Sequence, residues 1–292
     1  MNKRIKALLV LTVIAIAFSA CGRIAAYSEP PKMVAYEIAA AVDSNDGGIH
    51  ADEYSEWSTE KCTPFVNTSI MKSKEVTFNG KTYIGEYWYS ITELFNTYQT
   101  DYYTFDGGWF SVNQLDGSLS SIVFYNINTG KQTVEDCKGE ALRLAKQYID
   151  VDQYELSTRS DEYINTFIFQ RYVDGYKTCA KLSIGFSTNG DIVTFNVMMT
   201  KEIEESVKQR GINNVNSVAE LFGSKHAVEL LDDKVKTMYP TLLNYEVTEK
   251  VLVVLADGSI GMVHIADVNY SVSESAESIG SSRVCILLCE AD

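Results

Sequence analysis

Histidine is scarce in this chain: three occur in 292 residues, at His50, His226 and His264. No two of them have the spacing of a helical zinc pair, and neither a Gly-x-Ser-x-Gly elbow nor a phosphate-cradling glycine loop occurs. The usual signatures of metalloproteases, serine hydrolases and nucleotide-binding enzymes are therefore missing. Basic charge is short as well. Lys and Arg total 25 against 39 Asp and Glu, a net charge of −14, which repels phosphate backbones and argues against a nucleic-acid partner. Long hydrophobic runs are also missing. The apolar run at the start, residues 7–20, covers 14 residues. As a helix it rises about 21 Å, short of the ~30 Å hydrocarbon core, so a permanent spanning helix is disfavoured.

What that run does have is the layout of an export signal. Lys3, Arg4 and Lys6 form a basic end, the apolar stretch follows, and the small residue Ala20 stands directly before Cys21. Phe18-Ser19-Ala20-Cys21-Gly22 resembles the bacterial lipoprotein processing box, with Phe18 where that family usually has leucine. The resemblance implies cleavage before Cys21, a diacylglycerol on its sulfur, and a domain held on the outer face of the cell membrane. Two acyl chains anchor durably where one is marginal. The alternative is an ordinary secreted protein cut after Ala17 or Ala20. Removing residues 1–20 leaves 22 basic against 39 acidic residues, about −17. Such a surface does not lie flat on anionic lipid, so the anchor does the attaching.

Five further cysteines, Cys62, Cys137, Cys179, Cys285 and Cys289, are odd in number and mostly far apart. No disulfide framework follows from them. Cys285 and Cys289 lie in an apolar segment that reads as a strand. Four residues along a strand span about 13 Å, too far for a mutual disulfide. No histidine or third thiolate is near for a metal, so buried apolar thiols are the expectation.

Residues 22–32 read as a tether and residues 33–42 as a short helix. Residues 43–53 have some calcium-loop character, with Asp46-Gly47 and a later Glu53, but Asp43 and Asn45 fall in the gaps between ligand positions. The favoured reading is a polar turn capping a helix that begins near Asp52. From Glu75 onward turn pairs appear at Asn79-Gly80, Asp116-Gly117, Asp174-Gly175, Asn189-Gly190 and Asp257-Gly258, each flanked by strand formers. The spacing predicts a helix over 90–98, and one over 133–149 with an apolar stripe at Cys137, Ala141, Leu144, Ala145 and Tyr148. Strands are expected at 166–173, 177–186 and 191–199. The middle one alternates, with Ala180, Leu182, Ile184 and Phe186 on one face. A polar helix over 200–210 and a short one over 217–222, with a Ser217–Glu220 capping box, follow. A helix over 224–238 is apolar at Ala227, Val228, Leu231, Val235 and Met238. Strands at 247–255, 259–270 and 283–288 come next, with a serine-rich loop over 271–282.

The fold class is thus α+β: repeated helix-plus-antiparallel-meander units, mostly antiparallel sheet with helices on one face. The units are 1–20 leader, 21–52 tether and short helix, 53–132 N-terminal β-rich unit, 133–199 helix-meander unit, and 200–292 helical linker with a second helix-meander unit. Glu140-Ala141-Leu142-Arg143-Leu144-Ala145, Arg171-Tyr172-Val173-Asp174-Gly175 and the glycine-turn-strand pattern over 182–192 resemble a PepSY-type module. The whole layout is similar to Gram-positive lipoproteins with domains of unknown function. The resemblance covers about residues 133–199. It implies a non-catalytic binding or inhibitory role toward an envelope protein or protease, and supplies no catalytic, cofactor or metal residues.

Two functional classes remain. One is a binding module. Its candidate surface is the aromatic series Tyr87, Trp88, Tyr89, Phe95, Tyr98, Tyr102, Tyr103, Phe105, Trp109 and Phe110, read mainly as core and strand propensity. Adjacent rings in Tyr87-Trp88-Tyr89 face opposite ways on a strand, so at least one meets solvent or a neighbouring unit. The other is an extracytoplasmic hydrolase. It needs a cleft with convergent carboxylates or a histidine, and a perturbed pKa. Adjacent acids such as Glu204-Glu205 and Asp232-Asp233 splay around a helix and read as surface charge. His264, between Met262 and Ala266 at alternate positions, is expected to point into the core, and His226 into solvent.

Overall fold

Turn chemistry lays out the sheet. Asn79-Gly80 and Asp174-Gly175 both have positive φ at each residue, at 47° and 76° and at 53° and 78°. These are two-residue hairpin turns. They join β3 (Ser73–Phe78) to β4 (Lys81–Thr92), and β9 (Ile164–Val173) to β10 (Tyr176–Ser187). At Gly117, Gly190 and Gly258 only the glycine is left-handed, so the expectation of a two-residue turn fails there. The preceding carboxylates explain two of the three. Asp116 accepts the Ser118 N–H and Asp257 the Ser259 N–H, each at 2.8 Å, which builds a longer side-chain-closed turn.

The computed structural model describes residues 33–42, 49–53, 70–92, 99–198, 202–203, 205–206, 216–255, 257–272 and 279–290. The other strands are β1 (Met33–Val42), β2 (Ile49–Glu53), β5 (Gln99–Phe105), β6 (Gly108–Asn113), β7 (Leu119–Phe124), β8 (Tyr154–Ser160), β11 (Ile192–Met198), β12 (Leu242–Val254), β13 (Ile260–Ser271) and β14 (Ile279–Glu290). They form one sheet ordered β2-β1-β14-β13-β12-β10-β11-β7-β6-β5-β4-β3, with β9 paired to β10 and β8 to β9. The protein is therefore sheet-dominated and antiparallel-rich, with few helices.

Helix α1 (Val134–Ala145) forms as its sequence dictates. Thr133 and Asp136 make a reciprocal capping box, and Cys137, Ala141, Leu144 and Ala145 form the buried stripe. That stripe meets Phe78, Phe110, Ile122, Phe167, Leu182, Ile184, Phe186 and Phe195 on one sheet face. Gly85 on β4 makes room for Tyr103 and Phe110, whose rings stack; a Cβ there meets the Phe110 ring and the Tyr103 Cβ, each at 2.8 Å. Helices α2 (Asn216–Phe222) and α3 (Lys225–Met238) follow. Ser224 caps α3, whose buried stripe is Ala227, Leu231 and Val235. Val228 lies about 100° around from Ala227 and is exposed, contrary to the expected stripe.

One parallel pairing was not anticipated. β10 divides one edge between two partners: Lys177 and Thr178 pair with Val251 and Leu252 of β12, and residues from Lys181 onward pair with β11. Between them β10 bulges away from β9. The Gln170 amide fills that bulge, donating to the Thr178, Ala180 and Arg171 carbonyls at 2.8, 3.1 and 3.1 Å.

Several expectations are corrected. Residues 33–42 are strand β1, not helix; its pairing with β2 and its place beside β14 outweigh a helix-like run of alanines. No helix begins near Asp52, which lies in β2; the loop residues 43–48 lie outside the described residues. Residues 90–92 continue β4, while 93–98 lie outside the described residues. Ser217 is inside the first turn of α2 rather than at its cap. The Val218 N–H donates instead to the carboxylate of Asp174, from the β9–β10 turn. β12 starts at Leu242 and β14 at Ile279, both earlier than the sequence suggests, because cross-strand pairing with β13 extends them. β8 was missed altogether.

Candidate functional site

The sheet face opposite α1 begins with a bulge. The β4–β5 register shifts between Tyr87 and Tyr89, so Tyr87 opposes Tyr103 on the core face while Tyr89 opposes Tyr102 on the other. Trp88, the extra residue, is 55% exposed and sits edge-on to Tyr89 at 4.6 Å. Tyr89 stacks on Tyr102 at 4.6 Å and 10°, and Tyr102 meets Trp109 at 5.4 Å. Four of the ten aromatic candidates thus form a continuous row on the outer face. Tyr87, Tyr103, Phe105 and Phe110 belong to the core, as expected, and Phe95 and Tyr98 lie outside the described residues.

The row continues across the sheet as small polar residues. Tyr102 opposes Ser111, Ser111 opposes Ser121, Ser121 opposes Asn196, Asn196 opposes Ser183, and Ser183 opposes Ile168. The Ser111 hydroxyl is buried with no hydrogen-bond partner. At the far end a pocket of about 440 Å³ is lined by Arg159, Ser160, Asp161, Thr166, Lys181 and Ser183, among others. The Asp161 carboxylate there accepts the Tyr163 and Ile164 N–H groups, which hold its pKa below the usual range.

A second cleft, of about 500 Å³, opens where the turns meet α1. Its walls include the rings of Tyr83, Phe105 and Phe124, and its rim Asn79, Asn128, Asp106, Glu140 and Asp191. Arg143 binds Glu140 through two nitrogens at 2.6 and 2.7 Å and lowers its pKa. Asn128 and Asn189 donate to Asp191, at 3.2 Å each, and lower it likewise. Carboxylates do converge, but these two are perturbed toward the ionised state. A general acid needs the opposite shift.

His264 points into the core, as expected. It is 2% exposed, its Nδ1 has no partner, and burial depresses its pKa to about 4. His226 is exposed, and Asp232 pairs with Lys236 on the surface of α3. None of the four described cysteines is in a disulfide; Cys137, Cys285 and Cys289 are buried and Cys179 is half-buried. Burial pushes the Cys179 thiol to about 12 and Cys285 to about 11, which makes them poor nucleophiles. No group of three metal-ligating side chains occurs among the described residues, and no helix among them is long and apolar enough to cross a membrane. Cys21, Cys62 and the side chain of His50 lie outside the described residues.

These features define a sheet-dominated α+β protein with an aromatic and polar surface opposite its helix-backed core. No protein-family model and no curated protein matches the chain. Two solved structures resemble it. One is the C-terminal domain of YpeB from Bacillus megaterium, at 10% identity over 72% of this chain and 88% of that one, with a TM-score of 0.29. The other is an uncharacterized protein from Eubacterium rectale, at 10% identity over 89% and 84%, with a TM-score of 0.30. Neither likeness identifies a family.

Proposed function

We propose that this chain is an extracytoplasmic lipoprotein, anchored at Cys21, whose body is a non-catalytic binding or inhibitory module for an envelope protein, peptide or glycan. The observation that carries the binding reading is the row Trp88, Tyr89, Tyr102 and Trp109, followed across the sheet by the half-buried Asn196 and Ser183. A row of partly exposed stacked rings suits an extended chain lying across the strands. The PepSY-like repeat is supported by order. A helix followed by an antiparallel meander occurs as α1 with β8–β11, and again as α3 with β12–β14. The hydrolase alternative draws on the turn cleft, but the downward pKa shifts of Glu140 and Asp191 favour charge recognition there over proton donation.

Two measurements test the proposal. Mass spectrometry of the mature amino terminus is expected to find diacylglycerol on Cys21, and Cys21→Ala is expected to move the protein from membrane pellet to medium; an intact leader or an unmodified thiol overturns the anchor. Trp88→Ala combined with Tyr102→Ala is expected to lower retention on cell-wall sacculi or on envelope protein extract at least tenfold, with the thermal midpoint nearly unchanged. Undiminished retention overturns the site.

A further inference from the structure

Among the described residues, β8 is a free sheet edge. It pairs with β9 in unbroken register from Tyr154↔Arg171 to Ser160↔Asn165 and, among the described residues, with no other strand. Six of its seven residues are exposed. Free edges are usually guarded by charged side chains, lysine above all, by proline, by a bulge or by a covering element. β8 has no proline, lysine or bulge, and its two charges, Glu155 and Arg159, are of opposite sign. β3, which ends the ordered path of the sheet, is six residues long and carries Lys74.

The phase of the β8 ladder follows from one bond. The Asp161 N–H donates to the Ile164 carbonyl at 3.0 Å, so that residue faces β9. In an antiparallel pair such residues alternate. Arg159, Ser157 and Glu155 therefore direct their peptide groups at β9, and Ser160, Thr158 and Leu156 direct theirs outward. Side chains alternate in the same rhythm. Arg159 stands opposite Thr166 on the outer face and lines the pocket there, while Leu156 stands opposite the core residue Phe169 on the other face.

We infer that β8 receives an extended peptide as an added strand, and that the peptide carries an acidic side chain beside Arg159 and apolar side chains beside Leu156. This rests on the binding-module reading above and names a partner class for it. Outward N–H and C=O groups at Leu156, Thr158 and Ser160 supply the ladder, and the pocket at Arg159 supplies selection. Arg159 is exposed and offers a guanidinium fork to a carboxylate. In a chain with a net charge of −14, a pocket where Arg159 and Lys181 outnumber the Asp161 carboxylate selects for negative charge at that one position. Glu155, on the same face four residues away, sets the other end of the strand against further acid.

The test uses the full chain in detergent and two blocked hexapeptides, Val-Thr-Val-Glu-Val-Thr and its Lys counterpart. Amide exchange is expected to slow at Leu156, Thr158 and Ser160 on adding the Glu peptide. The Glu peptide is expected to bind at least tenfold more tightly than the Lys peptide, and Arg159→Glu to reverse that order. Thr158→Pro removes one outward N–H without touching the β9 ladder and is expected to weaken both peptides at least tenfold. Equal affinity for the two peptides, no new exchange protection at millimolar peptide, or full affinity in a folded Thr158→Pro protein each overturns the inference. The measurement in wild-type protein stands even where a variant fails to fold. Neither the anchor nor Trp88 enters it: loss of peptide binding in Trp88→Ala with full binding in Thr158→Pro sinks the edge while leaving the broader reading intact.

Discussion

β9–β11 and β12–β14 are consecutive antiparallel meanders in one sheet, yet they bury different things. In β10, Leu182, Ile184 and Phe186 are buried on the face that meets α1, while the other face carries polar or small residues, of which Ser183 is half-buried and Lys181 and Gly185 are buried. In the second meander the alternation vanishes: residues 251–254 of β12, 260–266 of β13 and 284–289 of β14 are buried without interruption. A strand with one covered face reads as hydrophobic-in and polar-out, and a strand covered on both reads as a continuous apolar run. The first kind carries polar and small side chains on its second face. The second leaves only packing. The aromatic row lies on strands whose outer face carries polar and aromatic residues, and the buried His264 on the second kind.

The sharpest way to break this comparison is a charge placed on adjacent residues of one strand. Leu182→Asp puts a carboxylate into the core and is expected to abolish folding or cost several kcal/mol, whereas Ser183→Asp is expected to cost less than about 1 kcal/mol. On β13, Met262→Asp and Val263→Asp are both expected to unfold the protein. Urea denaturation checks all four. A tolerated Val263→Asp would show that one face of β13 is open after all.

The next effect is the pH dependence set by His264. It stands opposite Lys250 on β12 and Ile286 on β14. Burial, then the Lys250 charge, lowers its pKa from 6.5 to about 4. The unfolded chain therefore takes up the proton first. The histidine's contribution is whole above pH 6.5 and is lost as pH falls toward 4, amounting to about 3 kcal/mol at ~1.4 kcal/mol per unit. Glu140, Asp161, Asp191 and Asp267 have lowered pKa values, so their contributions are lost mainly below pH 4.5. His264→Leu is expected to flatten stability between pH 6.5 and 5. An unchanged slope in that window would show that the imidazole is not buried neutral.

What the sequence made legible follows the same division. α1, with its cap and stripe, and β10, with its alternation of apolar and polar residues, were readable because the period shows. β8 was invisible because Tyr-Glu-Leu-Ser-Thr-Arg-Ser is exposed on both faces and carries no apolar alternation. The faces of β12–β14 were invisible for the opposite reason. Part of the candidate surface was legible, since Tyr87-Trp88-Tyr89 had to send a ring outward. The bulge that sets Trp88 against Tyr89 was not, because a bulge is a property of the pairing with β5 rather than of β4. The turn cleft gathers Asn79, Asp106, Asn128, Glu140 and Asp191 from separate hairpins and a helix, and only strand order brings them together.

The smallest expected effect lies at the seam between the two regions. Gln170 reaches across the β10 bulge to the carbonyls of Thr178 and Ala180, next to the two residues where β12 docks in parallel. Its amide replaces the ladder hydrogen bonds that the bulge removes. Gln170→Ala leaves those buried carbonyls without a donor, at a cost of about 1–3 kcal/mol. Gln170→Glu goes further, since a carboxylate offers the same carbonyls only lone pairs. If the seam couples the meanders, both variants lower the denaturation midpoint, and amide exchange quickens at Val251 and Leu252 as well as in β9. If exchange quickens in β9 alone, the two meanders are stabilised separately and the parallel pairing is a contact between them rather than a joint.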